Sequence, residues 1–471
     1  MSADAPLGPG DVPWGGRFAT GPHPELVRLT SSLATDVRLL EADVAATKAH
    51  ARTLVAAGLL EPAQLDALDD ACDDVVARAA AGAFADARDE DVHSLVERVL
   101  TERLGDAGAR IHAGRSRNDL VATDLRLWCR DAAARLASSV ADVLDVVARR
   151  AEQHRDAVMP GYTHLQRGQP VTLAFHLLAH GFALARDGAR FAAAGDAAAA
   201  ACPLGAGALA GTTLPLDPSL AAAELGFARP FDNAMDAVSE RDFACDLVYA
   251  AAVCGVHLSR LAEEIVLWTS QEFGFARLPD EWATGSSMMP QKRNPDLAEL
   301  VRGRAAGGVA DVTGLLALLK GLPLAYDRDL QEDKRYVFSA ADRVEASLDA
   351  TRHLLAAVEF DVERLAAATD AGAPWATDVA ERLVGRGVPF RDAHRAVGRL
   401  VAHLDRAGVD VHDVASELSE IDPRLEPADV PPRDVAARRT PGGPAPEEVA
   451  RQIRVIRRQS KRLRKRANNP M

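Results

Sequence analysis

Aromatic residues are scarce in this 471-residue sequence, where Phe, Trp and Tyr together make up 5%. Because β-strands favour aromatic and β-branched side chains, this scarcity argues against a sheet-based fold, and the abundance of alanine favours closely packed helices. Hydrophobic residues make up 48% and charged residues 26%, which is typical of a globular chain rather than a disordered one. We therefore predict an all-α protein.

Cysteine is also rare. The five cysteines are an odd number, scattered through helix-like segments without close pairs, so we expect reduced thiols rather than a disulfide framework. No basic-then-apolar leader opens the sequence, and no uninterrupted apolar run is long enough to span a membrane. These absences predict a cytoplasmic protein without a membrane partner.

A surplus of basic charge is missing as well. The formal net charge is −13, which argues against general nucleic-acid binding, since that needs a basic face. The exception is Arg451 to Pro470, which contains no acidic residue. We favour a solvated helix end or disordered tail for this segment, and the alternative is a surface for nucleic acid or another acidic partner.

Length and patterning predict three domains. We place an N-terminal helical domain at 1–112, a central domain of long helices at 113–360 and a small C-terminal helical domain with a basic tail at 361–471. No strand hairpin and no repeat period is evident. The long central helices are predicted at Asp119–Gln153, Val171–Ala200, Ser239–Gln271, Pro295–Leu319 and Ser339–Val358.

Some of these helices are apolar on nearly every side, as in "DLVYAAAVCGVHLSRLAEEIVLWTSQ". A helix of this kind must be buried all round. One chain has too few helices to bury several of them, so we infer an oligomer in which helices from several chains form a common bundle.

Polar segments that interrupt the helices are the candidate sites of chemistry. Three of them bring Arg, Lys or Asn donors to a helix start: "HAGRSRND" from His112, "AVSERDF" from Ala237 and "AYDRDLQEDKR" from Ala325. Such donors, added to the helix dipole, suit a carboxylate ligand. Taken alone, the first segment is better explained as a capped loop with surface arginines. Helix capping explains Ser239 and Asp242 of the second, and the third also fits a charged helix face.

Two further segments carry proton-transfer groups. "GYTHLQRGQP" from Gly161 places His164 beside Thr163, and histidine titrates nearest to neutral pH. "ATGSSMMPQKRNPD" from Ala283 combines two serines with a glycine and three donors, which is typical of a mobile lid. It lacks the Gly-x-Ser-x-Gly elbow of serine hydrolases.

Common metal-binding and nucleotide-binding motifs are also missing from the sequence. We find no Cys-x-x-Cys, no Gly-x-Gly-x-x-Gly and no phosphate loop, and we predict no metal and no cofactor. The chemistry would then come from side chains and substrate.

Taken together, the polar segments resemble the fumarase/aspartase superfamily. "GSSMMPQKRNPD" is similar to the superfamily's signature loop, Gly-Ser-Ser-x-Met-Pro-x-Lys-x-Asn-Pro, and lies between two long central helices. "WGGRF" (Trp14 to Phe18), "RSRND", "GYTHLQ", "DAVSERDF" and "YDRDLQEDK" resemble, in order, the argininosuccinate lyase family. The resemblance implies a fumarase/aspartase-like fold, a homotetramer with active sites shared between subunits, and no cofactor.

The resemblance also implies a reaction and its catalytic residues. The family cleaves argininosuccinate reversibly to arginine and fumarate, the last step of arginine biosynthesis, through an aci-carboxylate carbanion. By its motifs Ser286 is the base and Lys292 favours its ionised form. His164, beside Thr163, is the partner in proton transfer, and Glu299 orients it. The resemblance leaves open which of Ser286 and His164 is base and which is acid.

Substrate contacts follow from the same motifs. Arg117 and Arg241 are implied as carboxylate partners. The other implied contacts are Ser32, Asn118, Thr163, Asn294, Tyr326, Gln331 and Lys334.

Four positions depart from the family's usual residues. Ala113, Leu120 and Arg293 stand where Thr, Gln and Lys are usual, and Met288 replaces Leu or Ile. None of these is a proposed proton-transfer residue. Two alternatives remain: a sister lyase acting on adenylosuccinate, aspartate or malate, and a non-catalytic homologue like the related lens crystallins.

Overall fold

The computed structural model describes residues 17–370, 373–431 and 434–468, so Trp14 of the "WGGRF" motif lies outside the described residues. Helices dominate these residues, and the strands among them are four short ones in two small sheets. The all-α prediction is confirmed.

Six helices build the N-terminal part of the described chain. Asp91 begins α5 as its N-cap, with its carboxylate accepting the Ser94 N–H. The bounds are α1 Pro24–Thr30, α2 Leu33–Asp36, α3 Leu40–Ala56, α4 Leu65–Ala80, α5 Val92–Leu104 and α6 Asp106–Arg110.

The five long helices predicted for the central region are all present. Two short helices, α9 and α10, lie in the segment between the second and third of them. In chain order the central helices are α7 Arg117–Gln153, α8 Leu173–Ala198, α9 Pro218–Glu224, α10 Ala234–Ser239, α11 Asp242–Thr269, α12 Asp296–Leu319 and α13 Asp333–Ala357.

Consecutive long helices run antiparallel to one another, as the contacts between α7 and α8 show. Arg126, early in α7, donates to the carbonyls of Ala197 and Ala198 at the end of α8. A close approach joins α11 to α12, where a Cβ on Gly308 would lie 3.3 Å from the Cα of Ala252. Small residues therefore allow these helices to pack closely.

Helix caps explain where two of the long helices begin. Ser116 and Asp119 form a reciprocal capping box at the start of α7. The predicted start of α11 at Ser239 is wrong, because Ser239 ends α10 and the carboxylate of Glu240 accepts the N–H of Phe243 instead. The six-residue helix α10 thus ends at the residue where the long helix was expected to begin.

An antiparallel hairpin follows α7, contrary to the expectation of no hairpin. Its strands are β1 Val158–Thr163 and β2 Gln166–Thr172. Pro160 faces Pro170 across the pair, and the register shifts between Pro160 and Tyr162. Prolines and glycines in both strands hide the alternating pattern by which a strand is normally recognised. A second pair joins β3 Ala276–Arg277 to β4 Glu359–Phe360.

The C-terminal region has a small hydrophobic core of its own, and its last helix packs outside that core. Leu383, Leu400 and Leu418 belong to the small core, which is separate from that of the bundle. The last helix, α18, contributes instead to the bundle core. The bounds are α14 Val362–Asp370, α15 Ala376–Gly385, α16 Phe390–Ala407, α17 Leu418–Ile421 and α18 Pro446–Asn468.

The described residues of the basic segment belong to α18, which packs against α7 and α8, so the expectation of a solvated helix end or disordered tail is wrong. Ile456 is fully buried close to Gly181 of α8. Ser460 donates to Asp145 of α7 at 2.7 Å, and Arg464 pairs with Asp142 at 2.7 Å. The predicted boundary at 360/361 therefore separates this helix from the bundle that it packs on.

Helix α11 is long and apolar enough to pass a length-and-composition test for a membrane span, which the sequence analysis did not foresee. It is also packed against α8, α12 and α13, and over half of its apolar window is buried. A core helix passes the same test, and this packing identifies α11 as a core helix.

We expect Ile456→Ala to destabilise the chain by on the order of 2–5 kcal/mol, because it removes a buried side chain between α18 and the bundle. Urea unfolding followed by circular dichroism measures the effect. The control is Arg458→Ala on the exposed side of the same helix, expected within about 0.5 kcal/mol of the parent. Equal stability of the two variants would contradict the packing of α18.

Candidate active site

The bundle divides the predicted site residues between its two ends. At one end, here the Lys334 end, α7, α11 and α13 begin, and Arg241 donates to Asp333 at 2.6 Å across it. At the other, the hairpin end, α7, α11 and α13 finish and α8 begins, and Trp268 contacts the ring of His176 at 5.0 Å. The 28 residues of α11 separate the two ends by about 42 Å.

A buried charge cluster lies at the Lys334 end. The Lys334 ammonium is 3.2 Å from Asp333 and 4.0 Å from Asp36. Burial alone would raise the pKa of Asp333, but Lys334 and Arg241 outweigh it and hold that pKa below its ordinary value. The Asp333 carboxylate therefore stays ionised between these two side chains.

Arg241 has no surface open to a ligand within the chain, since its side chain is 0% exposed. Beyond Asp333 it donates to the carbonyls of Val238 and Glu240. The predicted carboxylate partner is thus placed beneath the surface, where it holds Asp333 beside Lys334. Sequence reasoning missed Asp333, although it stands directly before Lys334 in the "YDRDLQEDK" motif.

Above this cluster a cleft of about 390 Å³ opens between α2 and α13. Ser32 and Gln331, both predicted substrate contacts, line it together with Arg38. The Ser32 hydroxyl donates to Asp36, which joins the cleft wall to the buried cluster. Tyr326 lies close enough to Lys334 to feel its charge, although burial outweighs that effect and raises the tyrosine's pKa.

Arg117 is already paired in the chain. It donates to Glu90 at 3.0 Å and lies 3.2 Å from Asp91. Burial would lower the pKa of Arg117, but these carboxylates raise it above its ordinary value. Glu90, which sequence reasoning missed, also pairs with Arg328 at 2.8 Å, and its carbonyl accepts the Ser32 N–H. The acidic run "DEDVH" before α5 was the available signal.

Three hydrogen bonds to other parts of the chain hold the "HAGRSRND" segment in place. His50 donates to the carbonyl of Ala113 at 3.0 Å, and Arg115 donates to Thr47 at 2.9 Å. Asn118 donates to the carbonyl of Ala208 at 3.1 Å. The start of α7 is therefore fixed independently of any ligand.

His164 lies at the tip of the hairpin, at the other end of the bundle. His164 and Leu165 have φ values of 56° and 55°, the left-handed pair that a two-residue type I′ turn requires. Thr163 pairs with Gln166 around this turn. His164 and Thr163 are exposed, so the chain presents the predicted proton-transfer histidine to its surroundings.

The signature loop is closed at its base and exposed at its tip. Thr284 and Asn294 exchange two backbone hydrogen bonds of 3.1 and 2.8 Å. Arg293 donates to the carbonyl of Leu278 at 2.8 Å, so this departure from the family anchors the loop. Met288 is 86% exposed, which places the loop open in the single chain.

Ser286 accepts two backbone hydrogen bonds within the loop. Its Oγ lies 3.2 Å from the Met288 nitrogen and 3.1 Å from the Met289 nitrogen. N–H groups directed at an oxygen favour its ionised form. Lys292 is exposed on the same loop, and Glu299 is exposed one turn into α12. Ser286, Lys292 and Asn294 are thus grouped at the hairpin end.

Two carboxylate and histidine clusters could hold a metal among the described residues. Asp43, His93 and Asp124 are buried, and Nδ1 of His93 lies 2.5 Å from an oxygen of Asp43 and 3.5 Å from an oxygen of Asp124. The other comprises His176, His180 and Glu264. His176 and His180 form a His-x-x-x-His pair in "HLLAH" that the sequence analysis overlooked.

Comparison with known protein families matches most of the chain. Residues 17–309 match the family described as Lyase. Residues 374–432 match the family described as Argininosuccinate lyase C-terminal.

Individual relatives match over nearly the full length. The chain is 52% identical over 454 residues to argininosuccinate lyase of Acidothermus cellulolyticus, covering 94% of this chain and 93% of the relative. It is 51% identical over 453 residues to argininosuccinate lyase of Frankia casuarinae, covering 94% and 97%.

Solved structures share the fold. A crystal structure of EDDS lyase in complex with formate matches with a TM-score of 0.81 and 27% identity, covering 97% of this chain and 95% of that chain. The 3-carboxy-cis,cis-muconate lactonizing enzyme of Pseudomonas putida matches with a TM-score of 0.69 and 20% identity, covering 94% and 99%, which is a likeness of fold alone.

We expect the His50 contact to make stability depend on pH. Burial, and then the charge of Arg115, lower the pKa of His50 to about 3, so the folded chain keeps it neutral while the unfolded chain protonates it below about pH 6.5. Stability is then present above that pH and lost as the pH falls. Between pH 7.5 and 5 the parent should lose about 2 kcal/mol more than His50→Gln, whose amide still donates to Ala113.

Urea unfolding at the two pH values measures this difference. His394→Gln, at an exposed histidine of α16, is the matched control and should keep the parent's pH dependence. An unchanged pH dependence in His50→Gln would refute the neutral, buried state of His50.

Proposed function

The chain belongs to the argininosuccinate lyase family of the fumarase/aspartase superfamily, and we propose that it cleaves argininosuccinate reversibly to arginine and fumarate by general acid/base β-elimination. The observation that carries the reaction is identity of about half the residues to argininosuccinate lyases over nearly the whole chain. Ultraviolet absorbance of fumarate, with adenylosuccinate and malate as competing substrates, tests it. Turnover of either competitor without turnover of argininosuccinate would overturn it.

The elimination begins with removal of a weakly acidic proton from the carbon beside a carboxylate. The electron pair left by the proton spreads onto that carboxylate as an aci-carboxylate, and fixed donors stabilise the charge as it grows. The pair then forms the carbon–carbon double bond of fumarate while the bond to the guanidinium nitrogen breaks. An acid protonates that nitrogen as arginine leaves.

Ser286 is the base in this proposal. A serine hydroxyl is too weakly acidic to act unaided, so its ionised form must be stabilised. The N–H groups of Met288 and Met289 already point at its oxygen. Lys292 supplies positive charge from the same loop, and Asn294 supplies an amide for the substrate carboxylate when the loop closes.

His164 is the partner that protonates the leaving nitrogen. Its place at the tip of a tight hairpin turn allows it to reach into a site formed outside its own chain. Thr163 stands beside it as a hydroxyl donor, and Glu299 is assigned to orient the imidazole. The described chain shows no contact between Glu299 and His164, so this orientation depends on a neighbouring chain.

The Lys334 end binds the substrate. Ser32 and Gln331 line the cleft, while Tyr326 and Lys334 lie behind it. Arg117 and Asn118 offer donors at the start of α7. Arg241 is a positioning residue in the described state, because it touches Asp333 rather than the cleft.

The separation of the two ends supports the proposal of active sites shared between the subunits of a homotetramer. About 42 Å of helix separates Lys334 from the signature loop, which is too far for Lys334 and Ser286 of one chain to contact the same substrate. An exposed apolar face on α11 and α12 supports the association, with Tyr249 56%, Leu300 57% and Leu316 53% exposed. Cytoplasmic location and the absence of nucleic-acid or membrane partners complete the proposal.

We expect Ser286→Ala to lower kcat by on the order of 10²- to 10⁴-fold, the usual contribution of a positioned acid or base. Ser287→Ala is the matched control, because it removes a neighbouring exposed hydroxyl from the same loop. Fumarate release measured at saturating argininosuccinate gives both values. Near-normal turnover by Ser286→Ala would rule out Ser286 as the base.

We expect two inactive variants to restore activity when their chains are mixed. Ser286→Ala removes the base at the hairpin end, and Lys334→Gln removes a cation at the Lys334 end. If a site takes these residues from different chains, unfolding an equal mixture and refolding it should return about a quarter of the parent's activity. No recovery, with each variant still assembling, would show that one chain supplies both residues.

A further inference from the structure

Helices α8 and α11 carry two histidines and a glutamate whose ligating atoms converge near the hairpin end. Nε2 of His176 and Nε2 of His180 lie 2.6 and 2.7 Å from the same oxygen of Glu264. The three ligand atoms lie within 4.8 Å of one another. The proposed elimination uses none of these residues.

The geometry has a simple origin in the helices. His176 and His180 are four residues apart, so both project from one face of α8. Trp268, one turn beyond Glu264 on α11, is nearly buried and packs edge-on against His176 at 5.0 Å. Two packed helices and a buried indole therefore hold the donors in place before any ligand binds.

We propose that His176, His180 and Glu264 bind one divalent transition-metal ion of the zinc class. Two imidazole nitrogens and one carboxylate oxygen form a ligand set that Zn²⁺, Co²⁺ and Ni²⁺ accept, whereas Mg²⁺ and Ca²⁺ prefer all-oxygen sites. The site is distinct from the predicted proton-transfer residues and does not depend on the proposed reaction.

The present spacing is close to what the ion requires. Ligands about 2.0–2.2 Å from a tetrahedral ion are about 3.3 Å from one another, so the Glu264 oxygen must withdraw by roughly 0.6 Å. The Glu264 side chain is 32% exposed and can rotate this far without disturbing the core. The histidines are 22% and 14% exposed, which leaves an entry path and a position for a water ligand.

The ion would join two elements that support the hairpin. The hairpin strand β2 ends at Thr172, which caps α8 and accepts the Phe175 N–H. His176 follows within the first turn of α8, and Glu264 lies near the end of α11. Metal binding therefore ties the base of the strand pair that carries His164 to the bundle, and its main effect is on stability.

Full-length protein without a histidine tag, dialysed against EDTA, tests the site by titration with Co²⁺ and Zn²⁺. We expect one Co²⁺ per chain with visible absorption bands of a four- or five-coordinate ion, displacement by Zn²⁺, and a melting temperature that rises with Zn²⁺ concentration. His176→Ala, His180→Ala and Glu264→Gln should weaken binding by at least the roughly 10- to 100-fold that loss of an outer-shell partner costs.

The control is His394→Ala, which removes an exposed histidine from α16 and should bind as the parent does. Circular dichroism establishes that each variant is folded. The proposal is overturned if the parent binds no ion at micromolar Zn²⁺, if folded His176→Ala and His180→Ala bind as tightly as the parent, or if His394→Ala loses the ion equally. In those cases Glu264 is only a hydrogen-bond acceptor for the two imidazoles.

Discussion

The length of the bundle helices is the constraint on which the rest of the structure depends. The predicted site residues lie near the ends of the long helices, so they are divided between two regions that are separated by the helix rise. One region collects Arg241, Asp333 and Lys334, and the other collects Ser286 and His164. In the proposed function, a second chain completes the catalyst by bringing the opposite end alongside.

The buried charges at the Lys334 end are stabilised because each one has a partner of opposite charge. An isolated ion in that position would be costly, and each charge here has an opposite partner within hydrogen-bond or ion-pair distance. Arg241 and Lys334, which the family resemblance implies as substrate contacts, are held rigidly beneath the cleft by these ion pairs. Preorganised charge of this kind suits a substrate that carries carboxylates, because little reorganisation is needed when it binds.

At the hairpin end, by contrast, most of the predicted catalytic groups are exposed and are held by rigid local structure. A tight turn holds His164 outside the bundle, and the Thr284–Asn294 pair closes the base of a loop whose tip remains free. Arg293 shows how a departure from a family pattern acquires a local role, since its guanidinium reaches the carbonyl of Leu278. Exposure in one chain is consistent with groups that act in a site shared between chains.

Periodicity and motifs in the sequence were sufficient for the helical class, the five long helices and the family. These features depend on residue spacing and on short contiguous motifs, which are visible along the chain. The hairpin was not predicted because prolines and glycines in β1 and β2 obscure the alternation of polar and apolar residues. The packing of the basic segment was not predicted because its apolar face is buried only by contact with α7 and α8. Only the tertiary structure paired Arg241 with Asp333, Arg117 with Glu90, and both histidines of α8 with Glu264. Charge pairs of this kind join residues far apart in sequence, so folding alone determines which carboxylate each cation meets.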